Sequence, residues 1–266
     1  MSATTPVIDG ATRATTGPAS TGYVRPLSLD PSWSSLRGMH GGHLVGRSID
    51  AAAAALDGRQ VRTVTTAFLR PAVPGDALAT VTSIRHGRSL SVVGVDLEQG
   101  GATIATTRIS ATSPMAGAEW DHTVPLEVAP IGECVPIQPP AGVRHFDHLD
   151  AVLDPRHLPF SHGERARVAG HVRPRRGDVL DAAWLVMLLD WFPPAAFTRV
   201  DPPTGGVSVD FTVHLHRPLR PLRADEWLSA EFETKVSTGG LALEQGRVFD
   251  PDGRLLAESF HTRYTG

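Results

Sequence analysis

The chain repeats itself, and that repeat limits what it can fold into more than any other feature. Thr65-Thr66-Ala67-Phe68-Leu69-Arg70-Pro71 in the first half is answered by Phe211-Thr212-Val213-His214-Leu215-His216-Arg217-Pro218 in the second. Each is an alternating strand that runs into Arg-Pro, and proline ends a strand because it has no N–H for the ladder. A turn with Asp follows each, Pro74-Gly75-Asp76 or Ala224-Asp225-Glu226. Then come a strand (77–85 or 228–235), a glycine turn (His86-Gly87-Arg88 or Thr238-Gly239-Gly240) and a further strand (89–98 or 241–249). A hairpin turn, Gln99-Gly100-Gly101 or Pro251-Asp252-Gly253, leads to the last strand, 103–112 or 255–264.

A helix precedes each strand set. The first is predicted over residues 43–56, opened by Gly41-Gly42 and closed near Gly58. The second is predicted over 179–192, with Asp178 as N-cap and Pro193-Pro194 as the stop. Both are apolar on nearly every face, which marks a buried helix. A buried helix followed by about four antiparallel strands, twice over, predicts two sheets that each wrap a helix and join side by side. Residues 116–143 are rich in Pro and Gly and read as a linker. Cys134 lies there with no base near in sequence, and reads as an inert loop thiol.

Composition narrows the function. The 266 residues carry 25 Lys+Arg against 28 Asp+Glu, so the basic excess of a nucleic-acid-coating protein is missing. One cysteine allows no internal disulfide and no Cys-rich metal site, which fits a reducing cytoplasm. The longest apolar runs, 51–56 and 182–189, fall far short of the roughly 18–20 residues of a membrane span. Residues 1–21 lack the apolar stretch of a signal peptide and read as a flexible tail.

The duplicated helix-and-sheet unit resembles the double-hotdog acyl-CoA thioesterases of the acyl-CoA thioesterase II family. The stretches that carry the resemblance are Gly41-Gly42-His43-Leu44-Val45-Gly46, Phe68-Leu69-Arg70-Pro71, Val209-Asp210 with His216-Arg217-Pro218, Asp225-Glu226-Trp227-Leu228, and Asp252-Gly253-Arg254-Leu255-Leu256-Ala257. Trp33 also sits where relatives often have Trp. The resemblance implies an α+β tandem (double) hotdog, each half an antiparallel sheet wrapped around a long central helix. It divides the chain into a tail (1–22), an N-terminal hotdog (23–115), the linker (116–143) and a C-terminal hotdog (144–266).

It also implies a chemistry. Relatives activate a water with an Asp near the end of the second helix, a hydroxyl residue on the following strand and a Gln on the last strand. Carried over, these become Asp190, Ser208 and His261, with histidine in place of the glutamine. Histidine is the better base near neutral pH, and kcat/KM is expected to rise through about pH 6–7. Asp190 also stands out on its own: a carboxylate in an apolar run needs partners or a raised pKa. Thioester hydrolysis further needs an oxyanion site, and Gly41, Gly42 and His43 at a helix N-terminus would supply it. His40-Gly41-Gly42 also resembles the helix start of single-hotdog thioesterases.

The halves are not equivalent. Superposing Arg70-Pro71 on Arg217-Pro218 sets Val61 against Ser208 and Ile109 against His261. Asp50 aligns with Asp190 but has apolar companions, so a single composite site is expected. Arg173, Arg175 and Arg176 are candidates for the phosphates of coenzyme A. The substrate is read as an acyl-CoA or acyl-carrier-protein thioester, with no cofactor or metal and a homo-oligomeric assembly. Two other functions compete: a hotdog hydratase or dehydratase, disfavoured by Ala195 where that class carries a His five residues after its Asp, and a non-catalytic acyl-CoA-binding module. No Gly-x-Ser-x-Gly elbow and no His-Glu-x-x-His occur. The His pairs His40/His43, His145/His148 and His214/His216 lack the Cys or carboxylate that would complete a metal set.

Overall fold

The computed structural model describes residues 22–175, 180–200, 206–223 and 225–265. The first half contains β1 (Gly22–Leu29), two short strands β2 (Ser34–Ser35) and β3 (Gly38–Met39), α1 (Gly41–Leu56), β4 (Gln60–Phe68), β5 (Gly75–His86), β6 (Leu90–Gln99) and β7 (Ala102–Thr112). The second contains β8 (Val135–Pro136), β9 (Leu149–Leu153), β10 (Ala166–Pro174), α2 (Ala182–Leu188), β11 (Val207–Leu215), β12 (Leu228–Thr238), β13 (Leu241–Phe249) and β14 (Leu255–Tyr264).

All strands but β2 and β3 join one antiparallel sheet of twelve, ordered β1-β5-β6-β7-β4-β11-β14-β13-β12-β10-β9-β8. The repeated Arg-Pro strands, β4 and β11, meet at its centre, with Val64 opposite Val213. Outward from that seam, both sides pass through equivalent strands in the same order, so the repeat is a pseudo-two-fold. Even the irregularities recur. The ladder slips between Val61 and Thr63 in β4 and between Ser208 and Asp210 in β11. It slips again between Ser83 and Arg85 in β5 and between Thr234 and Val236 in β12.

The two helices lie against each other, and α1 also packs on β4, β5, β6 and β7. A single apolar core, including Val45, Ala52, Val95, Ile109, Leu185, Leu188 and Phe211, fills the space between helices and sheet. α1 forms as expected, closing through Asp57 and Gly58 in left-handed conformations.

The second helix is a correction. It spans seven residues rather than the predicted fourteen or so, and is not a long central helix. Its cap is Asp181, whose Oδ1 accepts from Trp184 N–H at 2.9 Å; Asp178 lies outside the described residues. Beyond Leu188 the chain tightens into three-residue turns, Asp190 N–H to Met187 O and Trp191 N–H to Leu188 O, both 3.2 Å. Pro193 and Pro194 forbid a further helical turn.

The linker is pinned rather than loose in its second part. Ala129 N–H donates to the buried Asp154 Oδ2 at 2.9 Å, and Ala129 O lies 2.8 Å from His171 Nε2. Cys134 is half-buried, its thiol bonded to Ala129 O at 3.4 Å and pushed up in pKa by burial.

Leu185 is a fully buried residue of α2 in the apolar core. Leu185→Ala should lower the unfolding free energy by about 2–5 kcal/mol in urea titrations at unchanged m-value. A loss under about 1 kcal/mol would mean that α2 is not seated in the core.

Candidate active site

The start of α1 and the end of α2 come together. Asp190 Oδ2 accepts from Gly42 N–H at 2.7 Å, and Asp190 O accepts from His40 Nε2 at 2.9 Å. His40 is the N-cap of α1: its Nδ1 accepts from His43 N–H at 3.2 Å, which leaves the proton on Nε2. Asp190 therefore lies at the positive end of the other half's helix dipole.

The glycines explain themselves through this approach. A Cβ on Gly41 would stand 2.9 Å from Asp190 Oδ2, and one on Gly42 would stand 3.0 Å from Met187 Cα and 3.1 Å from Asp190 Cβ. No side chain fits between the helices. The pair admits the Asp190 carboxylate, and Gly42 N–H is already engaged by it. His43 N–H is engaged by His40, and Gly41 N–H makes no hydrogen bond among the described residues.

β14 supplies the rest. His261 and Arg263 share one face of this strand, two residues apart. Arg263 Nη2 donates to Asp190 Oδ1 at 3.0 Å and its Nε donates to Glu244 Oε1 at 2.8 Å. His261 Nδ1 faces Asp190 Oδ1 at 3.5 Å, while His261 Nε2 lies 2.7 Å from Ser208 Oγ. Ser208 stands at the β11 bulge, where the extra residue re-aims a side chain. Asp190, His261, Arg263 and Glu244 are buried and Ser208 is half-buried, so the hydroxyl is the accessible end of the chain of contacts.

Burial alone would raise the Asp190 pKa. His40, His261, the Arg263 guanidinium and the Gly42 N–H instead hold it well below the usual carboxylate range. Burial, joined by the charge of Arg263, pushes His261 well below 6.5 against the pull of Asp190, so the imidazole is neutral at pH 7. Among the described residues His261 Nδ1 makes no hydrogen bond, and its one hydrogen bond is Nε2 to Ser208 Oγ.

Beside this chain lies an imidazole–indole stack. Trp33 stacks on His148 at 3.9 Å and on His43 at 4.9 Å, and His145 stacks on His40 at 4.5 Å. Burial pushes His43 and His145 down to about 3, with nearby histidines adding to the shift.

Asp190, Ser208 and His261, named from sequence, are thus in one place with Gly41, Gly42 and His43. Arg173 and Arg175 stand at the strand end beside His148, whose carbonyl accepts from Arg175 N–H at 3.1 Å. Both pair with Asp150, at 3.2 and 3.0 Å, and Arg173 also lies over the Trp227 ring. Arg176 lies outside the described residues. Asp50 pairs with Arg47 at 3.0 Å, its pKa raised by burial, and stands half exposed. The mirror positions of Ser208, His261 and Arg263 are Val61, Ile109 and Ala111, all buried in the core. Sequence reasoning missed Arg263 and Glu244. Strand alternation carried the signal, since Arg263 must face the way His261 faces. Among the described residues no group of three or more His, Cys, Asp and Glu is placed to hold a metal ion, and no helix is long and apolar enough to cross a membrane.

Comparison with known proteins gives the family. The acyl-CoA thioesterase N-terminal domain matches residues 29–112, and the acyl-CoA thioesterase C-terminal domain matches residues 116–264. This chain belongs to the acyl-CoA thioesterase family. Uncharacterized proteins of Mycobacterium tuberculosis and Mycobacterium bovis are each 30% identical to it, over 77% of this chain and 83% of theirs. A hotdog-fold protein of unknown function from Alicyclobacillus acidocaldarius superposes with a TM-score of 0.84 at 20% identity, covering 91% of this chain and 93% of that one. An acyl-CoA thioesterase II of Mycobacterium marinum superposes at 0.70 with 23% identity, covering 91% and 93%. The 12:0-ACP thioesterase of Umbellularia californica superposes at 0.52 with 11% identity, covering 92% and 94%. The fold is therefore of the hotdog class, with a large antiparallel sheet and few helices.

The buried histidines of this thioesterase-family chain make its stability acid-sensitive, with a definite sign. An unfolded histidine binds a proton below about pH 6.5, whereas native His43 and His145 do so only below about 3. Between those limits the unfolded chain holds more protons, so stability falls as pH falls. Urea midpoints should drop from pH 7 to pH 5, and His43→Gln should flatten the slope. A midpoint that rises on acidification would contradict the buried neutral state.

Proposed function

We propose that this chain hydrolyses an acyl thioester, carried on coenzyme A or on a carrier protein, to a carboxylic acid and a free thiol. The reading adds a tandem double hotdog in which the two halves, 23–115 and 144–266, share one working site. It rests on one observation: Ser208, His261 and Asp190 form a continuous line of contacts at the N-terminus of α1. A neutral buried imidazole that meets a half-exposed hydroxyl is a proton acceptor next to the place where substrate arrives. The charge that develops on the thioester oxygen is assigned to Gly41 N–H at the α1 terminus, the donor left over once Asp190 and His40 have taken Gly42 and His43. Asp190 orients and compensates the ring, and Arg263, shared with Glu244, keeps Asp190 ionised. A hydratase needs a second acid–base group close to its Asp; Ala195 holds the position five residues on, and its N–H only binds Glu244.

Thiol release from a series of acyl-CoA esters tests the reading. Asp190→Asn should lower kcat by about 10²–10⁴-fold, the usual weight of positioned acid–base groups. Arg263 keeps Glu244 as partner, so this variant should still fold. Asp50→Asn should stay within about twofold of the parent, because its carboxylate turns outward to Arg47, away from any hydroxyl–imidazole pair. Equal losses from the two variants would put the chemistry in both halves.

The pH profile carries a separate expectation that corrects the one from sequence. Burial moves His261 well below 6.5, so the acid limb of kcat/KM belongs below that pH and the rate should be level from about pH 6.5 to 8. A limb centred at 6.5 or higher would show that His261 titrates like an exposed imidazole.

A further inference from the structure

We propose that Phe68 is a specificity-determining residue of the candidate site: its ring is the wall against which the acyl carbons next to the thioester carbonyl lie. The proposal rests on the thioester reading and deepens it by naming what selects the acyl group.

Phe68 stands between the two groups that a thioester must meet. Its ring points at Gly41, where a Cβ would stand 3.1 Å from Phe68 Cζ and 3.4 Å from Cε1, alongside Asp190 Oδ2 at 2.9 Å. Its place in the sheet sets it against Ser208. Ala67 pairs with Asp210, so Phe68, the last residue of β4, comes level with the β11 bulge that carries Ser208. A carbonyl whose oxygen reaches Gly41 N–H, and whose carbon is open to a water held at Ser208, therefore passes along the Phe68 ring.

The ring faces inward. Val64 and Thr66 are buried at the preceding alternate positions of β4, and Phe68 continues that face, half-buried and packed on the apolar core. Coenzyme A and carrier proteins bring phosphate and amide groups that are costly to take out of water. The part of the substrate that suits this surface is the acyl chain.

The repeat points the same way. Through the two Arg-Pro pairs Phe68 aligns with Leu215, which is 5% exposed. At the end of the seam where the cluster lies, this position holds an aromatic ring left partly open. At the mirror end it holds an aliphatic side chain closed into the core.

A rigid wall beside the carbonyl discriminates by shape. A straight acyl chain lies along the ring with its CH₂ groups in contact. A branch at the α-carbon meets the ring and moves the carbonyl away from Gly41 N–H, and a misplaced carbonyl reacts slowly. Phe68 selects in this way without touching the proton transfers.

The test measures thiol release by the full chain from straight acyl-CoA esters, butyryl to dodecanoyl, and from their 2-methyl-branched counterparts. The same acyl groups are also offered on a carrier protein. The readout is the ratio of kcat/KM for the best straight substrate to that for its branched counterpart. Both are measured on one preparation, so loss of folded protein does not move the ratio. The parent should favour the straight chain. Phe68→Ala should lower the ratio by about tenfold or more, the usual weight of a methylene-sized fit in an apolar pocket. Phe68→Leu, the residue of the mirror position, should lower it less. Leu69→Ala, at a neighbour that is 51% exposed, should leave it unchanged. A parent with no preference for the straight chain, or a ratio unmoved in Phe68→Ala, overturns the proposal and leaves the thioester reading standing. Equal losses on straight and branched substrates overturn it too, in favour of contact between Phe68 and the thiol side of the substrate. No thiol release by the parent from any of these thioesters sinks both.

Discussion

A buried negative charge organises this molecule. Asp190 sits at the end of α2 in the apolar core, where an unpaired carboxylate would cost several kcal/mol. The chain meets that cost with donors from three directions: the Gly42 N–H at the start of α1, the Arg263 guanidinium from β14, and His40 Nε2, bonded to the Asp190 carbonyl and 3.6 Å from its carboxylate. Each donor constrains something else. Gly41 and Gly42 must lack side chains so that the helices can close on the carboxylate. Arg263 is held in place by Glu244, whose carboxylate takes the guanidinium Nε while Nη2 serves Asp190. His40 must cap α1 through Nδ1 to leave Nε2–H free for Asp190.

That arrangement explains how much of the site could be read in the sequence. Asp190 was legible because a charge inside an apolar run needs an explanation. Ser208 and His261 carry no such mark alone: Ser is common in strands, and His261 is one of 12 histidines. They were found through the family resemblance and the asymmetry of the repeat, which sets them against Val61 and Ile109. Arg263 and Glu244 were missed because pairing across strands depends on register, and a bulge shifts register without leaving a trace in local composition. Glu244 stands directly opposite His261 in the ladder, a relation that only the folded sheet reveals.

The fold shows the same division. Strands bounded by glycine turns and alternating in polarity fell within a few residues of their observed ends, β13 and β14 among them. β1 and β10 escaped notice for opposite reasons. β10 is buried on both faces, so its residues do not alternate, and β1 is an edge strand that is mostly exposed and contains Pro26. The second helix was overextended because an apolar run from Leu180 to Phe192 reads as helix throughout. Pro193 and Pro194 end it, and Asp190 lies in the turns that follow the helix. Its backbone carbonyl accepts from His40 and its side chain from Gly42, so both are presented to the start of α1.

The duplication bears on the candidate site through this charge. A pseudo-two-fold sheet offers two equivalent places for a carboxylate at the helix crossing, but each would need its own guanidinium and its own gap in the packing. The second half provides these for Asp190. In the first half Ala111 stands where Arg263 stands, and Asp50 turns outward to Arg47. With no cation in the core, a charged Asp50 is tolerated only at the surface. The corresponding volume is filled by Val61, Ile109 and Ala111, each well buried. At these positions the first half buries apolar groups where the second buries a polar cluster, and each buried CH₂ there contributes about 0.8 kcal/mol. The candidate site draws the N-terminus of α1 from one half and Asp190, Ser208 and His261 from the other, so neither half alone carries the cluster.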